Sequence, residues 1–94
     1  MQKIVINTCF GGFNLSNKGL EAYAERVGRP SAEIYTYEID RADPALVAVV
    51  EEMGEKAGGP HSKLKVVTIP ADVDWQIDEY DGSEHVAEKH RTWY

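Results

Sequence analysis

Apolar residues fall in short runs whose spacing switches between strand-like and helical along the chain. Residues 3–9 open with Lys-Ile-Val-Ile, a β-branched run that predicts a buried strand. Phe10-Gly11-Gly12-Phe13 breaks it, since paired glycines allow backbone conformations closed to other residues. Ser16 then suits a helix N-cap, and Leu20, Tyr23, Ala24 and Val27 recur at helical spacing on one face. Gly28 and Pro30 stop that helix. Residues 33–39 alternate Ile34 and Thr36 against Tyr35 and Tyr37, predicting a second strand. Asp43-Pro44 opens a second helix with Leu46, Val49, Val50, Met53 and Ala57 on one face, closed by Gly58-Gly59-Pro60.

Residues 64–69 read as a third strand, apolar on both faces and so expected at the centre of a sheet. Residues 75–80 alternate as a strand with one wet face. Two continuations are open after it. Asp81-Gly82 is a two-residue hairpin signal that would set Ile77 opposite Val86, Asp78 opposite His85 and, unfavourably, Glu79 opposite Glu84. Alternatively Asp81 and Glu84 form a capping box and residues 83–91 a short third helix. The expected fold is a single α/β domain over residues 1–94: a small two-layer sandwich in βαβαββ order, with a mixed sheet and two main helices.

Ninety-four residues suit one modest core, and one cysteine excludes an internal disulfide or a multi-cysteine zinc site. No apolar run is long enough for a membrane span or a signal peptide, so the expected location is the cytoplasm. The net charge of −6 is unevenly spread. Residues 1–70 carry nine acids against eight Lys and Arg, whereas residues 71–94 carry seven acids against two. Asp72, Asp74, Asp78, Glu79, Asp81 and Glu84 form an acidic strip with no Lys or Arg between them. Such a chain lacks the footprint for direct nucleic-acid binding but would attract a basic partner protein. The plainer reading of the strip is a solvated face.

The strand–Gly-Gly–helix passage is the most suggestive local feature, because such turns aim backbone N–H groups and a helix start at an anion. Cys9, Phe10, Gly11, Gly12, Phe13 and Ser16 are therefore candidate ligand residues. Known phosphate signatures fail: Asn17 stands where a P-loop needs its second glycine, and Leu15 where a cysteine phosphatase needs arginine. In the tail, His90, Arg91 and Trp93 could grip an anion and stack on a base. No nucleophile–base set, metal-ligand spacing or cofactor motif can be assembled, so no catalytic residue, metal or cofactor is expected.

The segments running from Lys3 through Cys9-Phe-Gly-Gly-Phe13, Asp40-Arg-Ala-Asp-Pro44, Glu79-Tyr-Asp-Gly82 and Glu88-Lys-His-Arg-Thr-Trp93 resemble a family of small proteins found largely in bacteriophages and prophages. The resemblance covers nearly the whole chain and carries no activity or site residues across. Ser83 and His85 depart from it, standing where bulkier residues are expected. It implies an accessory protein acting in the host cytoplasm against host machinery or defence. Two functions follow as expectations: capture of a small anionic, nucleotide-derived ligand, or inhibition of a basic host protein by nucleic-acid mimicry. A homo-oligomer is compatible with either.

Overall fold

The computed structural model of the chain describes residues 1–88. In chain order these are β1 (Gln2–Asn7), α1 (Asn17–Val27), α2 (Pro44–Met53), β2 (Leu64–Ile69), β3 (Trp75–Tyr80) and β4 (Ser83–Glu88). Short 3-10 turns occupy Ser31–Glu33, Thr36–Glu38 and Gly54–Ala57. The expected α/β architecture with two main helices is present. Its strands form two antiparallel pairs, β1 with β2 and β3 with β4, and no parallel ladder occurs among the described residues.

Both helices begin where side chains can satisfy their first N–H groups. Ser16 Oγ accepts from Gly19 N at 3.0 Å, and Asp43 Oδ1 from Ala45 N at 2.8 Å with Pro44 at the first helical position. Asp43 also joins the helices, because its Oδ2 accepts from the Tyr23 hydroxyl at 2.7 Å. Burial and that bond push the Tyr23 pKa up to about 12. Gly28 closes α1 in a left-handed conformation. The α-helical part of α2 ends at Met53, earlier than its apolar spacing predicts, and its last turn tightens into the 3-10 segment that carries Ala57.

The core lies between the helices and one face of β1–β2. Val5, Leu46, Val49 and Ala57 are sealed from solvent within it, alongside Leu15, Tyr23, Val50 and Leu64. Ile4 and Ile6, on the opposite face of β1 by strand alternation, are buried too. The β3–β4 hairpin packs along β1.

Two strand expectations are corrected. Residues 33–39 are not a strand but two successive turns: Ile34 N donates to Ser31 O at 3.1 Å and Ile39 N to Thr36 O at 3.2 Å. Ile34 and Ile39 still reach the core, while Tyr35 and Tyr37 stay exposed. The cause is competition for an edge. The side of β1 that such a strand would join is occupied, because Val5 N donates to Arg41 O and Asn7 N to the Glu84 carboxylate, each at 2.8 Å. Local i→i+3 bonds are what remain for the segment's backbone. Nor is β2 central: β1 is its one strand partner among the described residues.

Residues 83–88 resolve the open alternative in favour of the hairpin. Asp81 and Gly82 both take positive φ, 52° and 87°, as a primed two-residue turn requires. The register pairs Ile77 with Val86, Asp78 with His85 and Glu79 with Glu84.

Candidate functional site

Asn7 is the one polar residue in the buried part of β1 and is fully enclosed. Its amide ties three loops together. Nδ2 donates to Cys9 O at 2.6 Å and to Gly82 O at 2.8 Å, and Oδ1 accepts from Lys63 N at 2.8 Å. The loops meet so closely that a side chain on Gly11 would collide with the His61 carbonyl, and one on Gly82 with the Phe10 carbonyl. Phe10, 68% exposed, stands outside this junction with its ring 5.5 Å from that of His61.

Beside the junction, Arg41 grips Glu84 through two parallel bonds of 2.6 and 2.8 Å and lies 3.7 Å over the Phe13 ring. The Glu84 side chain is only 8% exposed. Burial alone pushes its carboxyl up, but the Arg41 bonds and the Asn7 N–H outweigh that and hold it below its ordinary value. The pair also answers the charge conflict across the hairpin, since Arg41 neutralises Glu84 while Glu79 opposite remains in water.

The candidate ligand residues therefore have different fates. Cys9, Phe10, Gly11, Gly12 and Phe13 share one loop, and two of its backbone donors are engaged within the protein. Cys9 N bonds Asn7 Oδ1 at 3.2 Å and Gly12 N bonds Cys9 O at 3.5 Å. At the α1 start, Ser16 Oγ donates to Lys56 O at 2.7 Å and Ser16 N to Ala57 O at 2.8 Å, so the 3-10 turn is tied to that end, while Asn17 and Lys18 stay exposed. His90, Arg91 and Trp93 lie outside the described residues. Of the acidic strip, Asp72, Asp74, Glu79 and Asp81 are exposed, as is Glu88 beyond them. Asp78 is partly exposed with His85 Nε2 3.6 Å away. Glu84 has left the strip for Arg41.

Clefts are developed elsewhere. One of about 340 Å³ lies beside α2, lined by Lys3, Ala42, Pro44, Val47, Ala48 and Glu51, and does not touch the Gly11–Gly12 turn. Among the described residues no three His, Cys, Asp or Glu side chains are grouped to hold a metal ion. No described helix is long and apolar enough to cross a membrane. No family model, curated protein or solved structure matches the chain.

Sequence reasoning missed Arg41, Asn7 and His61. Asn7 carried a signal, being a lone amide after Ile4-Val5-Ile6. A buried polar group must find partners, so that position foretells a hydrogen-bonded junction. Arg41 sat inside the Asp40-Arg-Ala-Asp segment, with nothing local to reveal a partner 43 residues away.

Proposed function

We propose that this chain is a small binding protein that sets its acidic hairpin against a basic surface of a partner protein, in the place nucleic acid would occupy. The observation that carries the reading is the surface of residues 72–88. Asp72, Asp74, Glu79, Asp81 and Glu88 are exposed there and Asp78 partly so, with no Lys or Arg in the segment. The Arg41–Glu84 pair anchors this surface, so its charges are held ready rather than ordered on binding. Clustered negative potential steers a basic partner and gives a strongly salt-dependent association. The resemblance to phage and prophage proteins supports a nucleic-acid-binding host defence complex as that partner, in the manner of an anti-CRISPR protein.

Capture of a small anion has less support, because the N–H groups of Cys9, Gly12, Ser16 and Gly19 are bonded within the protein and the cleft beside α2 lies away from that turn. A gel-shift assay with a purified DNA-binding defence complex and its labelled target duplex tests the choice. The wild-type chain should displace the duplex, and Asp74→Asn/Asp78→Asn/Asp81→Asn should not. Equal displacement by the triple variant would sink the reading.

A further inference from the structure

Among the described residues, one edge of the main sheet is open. Thr8 N donates to Lys63 O, which fixes the pairs at positions 6/65, 4/67 and 2/69 as those that exchange hydrogen bonds. The N–H and C=O groups of Val66 and Thr68 therefore point away from β1, and they have no backbone partner among the described residues. The side chains agree. Ile4 and Val5 on β1 are fully buried, while their partners Val67 and Val66 are only half-buried and Ile69 likewise. The covering on both faces gives out at β2.

We infer that β2 pairs antiparallel with β2 of a second copy of this chain, centred on Val67, to make one four-stranded sheet in the order β1–β2–β2–β1. Three features select a second copy as the occupant. The register is self-complementary: Val67 meets its own equivalent, Val66 meets Thr68, and Lys65 meets Ile69, so no like charges face each other. Within a chain of net charge −6, residues 63–70 carry no acid, so pairing along this edge brings no carboxylates of the two copies together. The assembly also closes at two. The far edge of β1 is occupied by the Arg41 carbonyl and Glu84, so a dimer offers no further edge there. Lys65 and Thr68 are exposed, and β2 contains no proline to block pairing.

This dimer is independent of what the acidic hairpin binds. Light scattering over a range of concentrations up to millimolar should show the mass doubling. Thr68→Pro removes an outward-pointing donor without touching the β1 ladder, and should leave a monomer at every concentration with the melting temperature of the dilute wild-type chain. Amide exchange on the wild-type protein needs no variant: the Val66 and Thr68 amides should be slowed at high concentration and released on dilution. A wild-type chain that stays monomeric at millimolar concentration would overturn the inference. So would a folded Thr68→Pro variant that still dimerises, or Val66 and Thr68 amides indifferent to dilution.

Discussion

Arg41 joins three separate parts of the chain. It neutralises Glu84 on the hairpin, stacks on Phe13 after the glycine pair, and its own carbonyl holds Val5 of β1. Removing one partner of a buried ion pair is costly because the other is left charged and unpaired. Because the pair is part-buried, Arg41→Ala should lower stability at pH 7 by roughly 1–3 kcal/mol, as read from denaturant unfolding. The pH dependence has a definite sign. The folded Glu84 pKa is depressed, so its stabilisation is complete above the unfolded carboxyl value of about 4.3 and is lost as pH falls through the folded value. The stability gap between wild type and variant should close as the solution is acidified. A gap that stays constant down to acid pH would show that Arg41 acts by packing alone.

At the scale of elements, legibility tracked how local the determining contact is. Both helix starts were readable because Ser16 and Asp43 cap N–H groups two or three residues away. The hairpin was readable because Asp81-Gly82 fixes register through its own dihedrals. Residues 33–39 were misread because their alternation is strand-like, while the edge they needed is taken by Arg41 and Glu84 from other parts of the chain. The same non-locality hid the close packing at Gly11, where the His61 carbonyl fills the place a side chain would need. Gly82→Ala tests the loop junction. It combines a φ of 87° with a collision against the Phe10 carbonyl, so the cost should exceed the roughly 1 kcal/mol of a left-handed alanine alone. Gly12 also has positive φ but open space around it, so Gly12→Ala should cost only that smaller amount. Equal melting temperatures for the two variants would mean the Phe10 loop yields to the added methyl group.

For the whole molecule, the two proposed surfaces respond oppositely to salt, and this separates them without a structure of either complex. The hairpin surface is acidic and would meet a basic partner, so raising ionic strength screens an attraction and weakens that association. The β2 edge joins two chains that each carry a net charge of −6, so the same salt screens a repulsion while the backbone bonds and valine contacts are little affected. Raising salt from about 0.05 to 0.5 M shortens the Debye length from roughly 14 to 4 Å, so repulsion between two like-charged chains that acts at the lower salt is screened at the higher. Dimerisation measured by sedimentation should therefore strengthen across that range, while binding to a basic partner falls. The Asp74→Asn/Asp78→Asn/Asp81→Asn variant, with three fewer negative charges per chain, should dimerise more tightly than wild type at low salt and equally at high salt. A dimer that weakens with salt would place the acidic hairpin, rather than β2, at the contact between copies.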